Sequence, residues 1–250
     1  MGLPTTQGTS IIRDQRSRSA QSREIVAYFN HIAKRYEVTN FLISLGLDHC
    51  WRRKFIRQVS TWPVPLILDV ACGSGDILAA LADQAVAKEQ RIIGLDLSPA
   101  MLHEAAEKIK KLQAATMLVQ ADGMALPFAE NSIPGMTIVF GIRNFPNLDA
   151  ACKELYRVLQ PGGRLAILEF SLPSNRFMAA IIQLWLRHVV PFMGGFLTGD
   201  RNAYRYFADS VVNFPSAHDF CAILRKHGFS VQPPRSYPGF IAYMYEGVKE

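Results

Sequence analysis

Three carboxylates carry the first chemical suggestion in this sequence. Asp69 opens D-V-A-C-G-S-G-D, Asp96 closes R-I-I-G-L-D, and Asp122 stands before Gly123 after T-M-L-V-Q-A. The first acid adjoins a loop in which Gly73 and Gly75 let the backbone turn sharply and let a ligand come close. A dinucleotide loop, G-x-G-x-x-G/A, would open a helix onto a pyrophosphate. Here Leu78 holds the third position and an acid precedes the loop. An acid in that place suits a ligand with an ammonium group better than one with phosphates. S-adenosylmethionine has the ammonium and no phosphate. Asp96, about 20 residues past the loop, is placed to accept hydrogen bonds from ribose hydroxyls, and Asp122 from an adenine amino group. One such acid is an ordinary strand cap; three in register form a set.

A second group follows the run I-P-G-M-T-I. The segment V-F-G-I-R-N, residues 139–144, delivers Gly141, Arg143 and Asn144 where an apolar strand ends. A fixed cation there lowers the pKa of a neighbouring hydroxyl and holds the resulting oxyanion. The plain alternative is that Arg143 pairs with a structural acid such as Glu169.

These residues must be positioned by alternating elements. V-P-L-I-L-D-V, R-I-I-G-L-D, T-M-L-V-Q-A-D, M-T-I-V-F-G and R-L-A-I-L-E-F read as buried parallel strands. Between them lie helical patterns. One begins with Ser98 as N-cap and Pro99 in the first turn, and another, D-A-A-C-K-E-L-Y-R-V-L, stops at Q-P-G-G. Helical material continues to about His227, and F-S-V-Q-P-P with F-I-A-Y-M-Y-E-G-V closes as a hairpin. The alternation predicts a doubly wound α/β sheet, whose ligand binds outside the carboxyl ends of the strands.

The remaining composition bounds the function. A chain of 250 residues, about half apolar, holds one large domain. Residues 1–60 carry ten Lys/Arg against four acids, a surplus of six that accounts for the whole formal charge of +6. That basic end suits an anionic membrane surface or nucleic acid, or is simply a solvated face. Past residue 60 no basic stretch is interleaved with stacking aromatics, so nucleic acid is not expected as a partner. Cys50, Cys72, Cys152 and Cys221 are far apart, with no C-x-x-C and no H-E-x-x-H; no disulfide framework and no metal site are expected. Residues 1–23 are polar, read as a disordered basic tail, and contain no apolar signal segment. The run from Phe177 to Phe192 is too short to span a bilayer. It reads as a core helix, or as a lipid-facing one with Gln183 and Arg187 on its polar side.

The sequence resembles a known family over roughly residues 25–250: the class I S-adenosylmethionine-dependent methyltransferases, and within them the C-methyltransferases of ubiquinone and menaquinone biosynthesis. Tyr36 to Trp51 is similar to the family's first signature, matching at Tyr36, Asn40, Ile43, Ser44 and Trp51 and departing at Glu37, Thr39 and Asp48. Arg157 to Ser171 is similar to its second, departing at Gln160. A-D-G-M-A-L-P-F, F-G-I-R-N and A-Y-R-Y-F-A-D-S also look like family segments. The resemblance implies a mostly parallel, Rossmann-like seven-stranded sheet with a C-terminal antiparallel hairpin. It further implies an N-terminal helical lid over residues 24–60 and a helical substrate cap over 174–227, within one domain spanning 24–250.

It implies that S-adenosylmethionine is held by Tyr36, Asp69, Ala71, Gly73, Ser74, Gly75, Asp96, Leu97, Asp122, Gly123 and Val139. It implies a polyprenyl quinol as substrate, either demethylmenaquinol or a methoxybenzoquinol, methylated on a ring carbon. Arg143 is then expected to stabilise the phenolate and Asn144 to orient it. Arginine is a poor proton acceptor, which leaves His49, Asp122, Glu169, Tyr204 or a held water as base. The aromatic and Met residues from Phe177 to Phe207 are expected along the route of the prenyl tail. The enzyme is expected in the cytoplasm, touching the inner face of the membrane transiently, and a homo-oligomer is compatible with the sequence. The competing readings are another small-molecule methyltransferase on the same fold, or an RNA methyltransferase using the basic end.

Overall fold

The computed structural model describes residues 11–13, 44, 46–85, 89–110, 112, 115–173, 175–198, 201–239 and 241–250. Its centre is one sheet of nine strands. In chain order these are β1 (Ile11–Arg13), β2 (Leu66–Val70), β3 (Arg91–Asp96), β4 (Thr116–Gln120), β5 (Ile133–Val139), β6 (Leu159–Phe170), β7 (Phe229–Val231), β8 (Arg235–Ser236) and β9 (Ala242–Lys249). They lie in the order β1-β4-β3-β2-β5-β6-β9-β7, with β8 on the side of β9. Every pair from β1 to β6 is parallel, and β9 is antiparallel to β6, β7 and β8. The expected seven strands form the body. The short β1 and β8 are additions. Part of the tail expected to be disordered, Ile11–Arg13, thus pairs with β4, whose outer edge offers unmet backbone groups.

The helices are α1 (Leu47–Val59), α2 (Asp76–Ala85), α3 (Pro99–Ile109), α4 (Leu148–Val158), α5 (Arg176–Leu184), α6 (Val190–Thr198), α7 (Arg201–Asn213) and α8 (Ala217–Lys226). A π-helical segment, Trp185–Val189, joins α5 to α6. The caps follow the residue types. Ser98 accepts the Met101 N–H at 3.1 Å ahead of Pro99, and Asn147 accepts from Ala150 at the start of α4. The period-two pattern of β2 splits its side chains between layers. Ile67 joins Trp51, Phe55, Leu78 and Leu102 on one face, while Leu68 and Val70 join Leu155, Phe220 and Leu224 on the other.

The chain winds outward through β2, β3 and β4, then returns to β5 on the other side of β2. The reversal between β2 and β5 is the topological switch point, where such sheets leave a crevice. Two helical expectations change here. The described part of the predicted lid, α1, is built into the core: Trp51 and Phe55 are buried, and Trp51 Nε1 donates to Pro238 O at 2.8 Å. The last helix of the predicted cap, α8, packs on the sheet through Phe220 and Leu224. Apolar periodicity shows that a helix has a packing face, but not which layer receives it.

Candidate active site

A cavity open to solvent occupies the switch point, where sheets of this kind take their ligand. Of the residues expected to hold the cofactor, Asp69, Ala71, Gly73, Ser74, Asp96, Leu97, Asp122, Gly123 and Val139 line it, as does Asn144. Gly75 stands behind the wall instead. A Cβ there would lie 2.8 Å from Ala105 Cβ, so this glycine lets the loop pack against α3. Tyr36 and Asn40 lie outside the described residues.

The three acids differ in environment. Asp69 is buried and accepts from Thr137 Oγ1 at 2.7 Å. Burial pushes its pKa up from 3.8 to about 7; Thr137 opposes the rise and Asp96 adds to it. Asp96 accepts the Gly73 N–H at 2.9 Å and the Ser98 N–H at 2.8 Å, which fixes the glycine loop to the end of β3. Burial raises its pKa too, against the pull of those backbone N–H groups. Asp122 accepts from Met124 N at 2.9 Å. Beside it Leu97, Met101, Met124 and Phe145 give the cavity an apolar wall.

The strands end in strained backbone. Ala71 follows β2 with φ 56° and Phe140 follows β5 with φ 55°, left-handed values that non-glycine residues seldom adopt. Between them Gly141 is packed so closely that a Cβ would lie 2.6 Å from Ala71 Cβ. The two strand ends therefore meet at van der Waals contact and form the cavity floor.

Arg143 departs from its expected role. Its side chain is 3% exposed, and Nη1 donates to Glu169 Oε1 at 2.7 Å and to Phe140 O at 2.6 Å. Nε donates to Ser210 Oγ at 3.3 Å, and the guanidinium lies over the rings of Phe170 and Phe207. It is not among the cavity-lining side chains. The sequence placed Arg143 correctly at the end of β5. The buried Glu169 at the end of β6 drew it inward, because neither charge is tolerated alone out of water. Arg143 is a positioning residue that holds the strained turn at Phe140.

Of the residues weighed as base, Glu169 is engaged by Arg143, Tyr204 is buried beneath Gly194, and His49 is exposed on α1. Asp122 alone of the four lines the cavity. The expected tail route also divides: Tyr204 and Phe207 are core residues, whereas Phe177, Leu184 and Phe192 face solvent. Of the two readings of the run from Phe177 to Phe192, the core helix holds only for the side that bears Leu186 and Val190, while α5 contains no buried residue.

Two residues were missed. Tyr206 on α7 donates its hydroxyl to Asn144 Oδ1 at 3.2 Å, which leaves the amide N–H groups of Asn144 for a ligand. Tyr206 and Ser210 are one helical turn apart and touch Asn144 and Arg143 in the same order. That i, i+4 spacing was readable; its partner was not. Burial raises the Tyr206 pKa and the Arg143 charge lowers it only in part, so the phenol stays protonated as a donor.

The second is Arg52, counted in the sequence only as part of a basic surplus. It projects from α1 into the cavity, 3.6 Å from Asp76 and from Asp48, with its guanidinium 5.5 Å from the centre of the Phe140 ring. Its buried Nε has no hydrogen bond within the described residues. S-adenosylmethionine fits this donor set: carboxylates for the ribose and the ammonium, an apolar wall for adenine, and a guanidinium for the carboxylate.

Comparisons with known proteins show the family. The model of the ubiE/COQ5 methyltransferase family matches residues 16–249. The chain is 38% identical to the ubiquinone/menaquinone biosynthesis C-methyltransferase UbiE of Syntrophotalea carbinolica, over 88% of this chain and 92% of that protein. It is also 38% identical to the demethylmenaquinone methyltransferase of Thermus thermophilus, over 82% of this chain and 92% of that one. Among solved structures, a SAM-dependent methyltransferase from Thermotoga maritima shares the fold with a TM-score of 0.61 at 17% identity, over 90% of this chain and 100% of that one. The chain belongs to the ubiE/COQ5 methyltransferase family, and it is an S-adenosylmethionine-dependent methyltransferase.

Proposed function

We propose that the substrate is a polyprenylated quinol, methylated at a ring carbon, and that the enzyme works at the cytoplasmic face of a membrane. The observation that carries the reading is that Asn144 and the strained Phe140–Gly141 turn share one cavity with Asp69, Asp96 and Asp122. Of the relatives at 38% identity, one is named a ubiquinone/menaquinone biosynthesis C-methyltransferase and the other a demethylmenaquinone methyltransferase.

The bound cofactor supplies an electrophilic methyl carbon on its sulfonium. Asp96 would hold the ribose, Asp122 the adenine amino group, Asp69 the ammonium and Arg52 the carboxylate. Asn144 donates an amide N–H to the quinol oxygen, and Tyr206 fixes the amide's orientation. The oxygen's electron density would move through the ring to the carbon that takes the methyl group, which the bound cofactor would give up in leaving as a neutral thioether. The ring carbon then gives its proton to water at the open mouth, and aromaticity returns. Arg143 contributes through the backbone: it holds the Phe140 carbonyl, and with it the turn that presents Asn144.

The test is transfer of label from S-adenosylmethionine to reduced demethylmenaquinol and, separately, to a reduced polyprenyl methoxybenzoquinol. Label on the quinol ring is expected with one or both. Failure with both, in an enzyme that binds the cofactor, overturns the proposal.

A further inference from the structure

The most exposed apolar surface in the described residues belongs to the rod formed by α5, the π segment and α6. Seven of the ten exposed large apolar residues lie on it, with Phe177 74%, Leu184 63%, Phe192 69% and Phe196 85% exposed. Isolated exposed apolar residues are normal; a continuous face of this kind marks an interaction site.

Helix geometry shows that the face is continuous. Phe177 and Phe196 are nineteen positions apart, and over that span a pure α-helix turns about 100° past five full turns. The two would then sit on different sides. The π segment accommodates one extra residue: Val190 N–H bonds to Trp185 O, five back rather than four. That extra residue takes back about 100°, so Phe196 returns to the line of Phe177, Ile181 and Leu184. Pro191 supplies the cause. It lacks an N–H and crowds the carbonyl four residues earlier, at Arg187.

The opposite side of the rod is fastened to the protein. Leu186 and Val190 are buried, and Gly194 lies so close to α7 that a Cβ would be 2.2 Å from the Tyr204 ring. The rod's stretch Arg176–Phe196 is 21 residues, long enough to cross a bilayer by length alone. A helix stitched along one side to a soluble core, with Gln183, Arg187 and His188 near its middle, is instead suited to lie in the plane of the interface.

Charge selects the occupant. Between Glu169 and Asp200 the sequence has no acid, while Arg176 and Arg187 flank the apolar face and are exposed. Arg201 and Arg205, also exposed, extend the basic border onto the adjoining α7. An apolar strip edged by arginines matches acyl chains beneath anionic headgroups. We propose that this rod is the membrane-docking surface, lying in the headgroup layer of an anionic bilayer with Phe177, Ile181, Leu184, Trp185, Phe192 and Phe196 toward the acyl chains. The proposal deepens the reading of a lipid-dissolved quinol substrate and rests on it for its purpose. α7 backs the rod and also bears Tyr206 and Ser210, so the docked surface and the Arg143–Asn144 turn share one supporting helix.

The test uses the full chain and vesicles without quinol. Trp51 and Trp62 are buried and Trp185 is 40% exposed, so a blue shift in tryptophan emission on adding vesicles reports Trp185. The shift, with co-sedimentation, is expected on phosphatidylcholine vesicles containing about one-third phosphatidylglycerol, and at least tenfold more weakly on phosphatidylcholine alone. Leu184→Glu and Phe192→Glu, both exposed, are expected to lower partitioning at least tenfold with the melting temperature unchanged. Equal binding to neutral and anionic vesicles, or variants that bind like the parent, would overturn the proposal. So would a dimer in sedimentation velocity that these variants abolish while the parent ignores vesicles; the face would then belong to a second copy. Methylation of a short-tailed quinol in detergent scores the substrate reading separately.

Discussion

Arg143 Nη1 lies 2.7 Å from Glu169 Oε1, and neither side chain has appreciable contact with water, at 3% and 0% exposure. Both ends of the pair also bind backbone at the cavity floor. Arg143 holds the carbonyl of Phe140, and Glu169 Oε1 accepts the Phe170 N–H at 2.8 Å. Adjacent strands β5 and β6 are thereby clamped where the substrate side of the site begins.

Removing one partner should cost stability as well as activity. Arg143→Ala leaves a carboxylate buried without its counter-charge, a loss of about 3–5 kcal/mol. In a chain of this size that lowers the melting temperature by roughly 10 °C. The double variant Arg143→Met with Glu169→Leu should recover much of that stability and little activity. Calorimetric melting of the three proteins checks it, and an Arg143→Ala protein as stable as the parent would remove the clamp.

Tyr206→Phe deletes the hydrogen bond to Asn144 with little change in shape. We expect kcat to fall about tenfold, the worth of one well-placed hydrogen bond, with cofactor affinity unchanged. Steady-state kinetics with calorimetric titration of S-adenosylhomocysteine separates the two. A fall in affinity at constant kcat would place Tyr206 on the cofactor side.

Asp69 gives a pH dependence of known sign. Its pKa is pushed from 3.8 to about 7 by burial, so the folded enzyme keeps a proton there that the unfolded chain has lost. The fold is favoured below the ordinary value and loses that advantage as pH rises toward about 7. A ligand ammonium favours the ionised form, so cofactor affinity should rise with pH up to about 7 and then level. Asp69→Asn should flatten this profile, seen in titrations of S-adenosylhomocysteine at several pH values.

Arg52→Met should weaken S-adenosylhomocysteine about tenfold or more, because a charge-assisted hydrogen bond is lost. The loss should be much smaller for an analogue lacking the carboxylate. Equal losses for both ligands would mean that Arg52 serves Asp48 and Asp76 alone.

Local pattern determined much of this protein. Apolar runs of four to seven residues alternating with helical spacing defined the sheet, and acids at the strand ends marked its ligand side. Those signals are local: a glycine loop, an N-cap or an acid after a strand owes its meaning to its neighbours in sequence. Partner choice is not local. Whether Arg143 faced a ligand or Glu169 depended on two strands 26 positions apart meeting side by side. Asn144 and Tyr206 are 62 positions apart and meet only because α7 crosses that turn. The run from Phe177 to Phe196 shows the same limit. Its apolar character is written in the sequence, but burial belongs to the packed molecule, and only the tertiary structure decided which side met Tyr204 and which was left facing out.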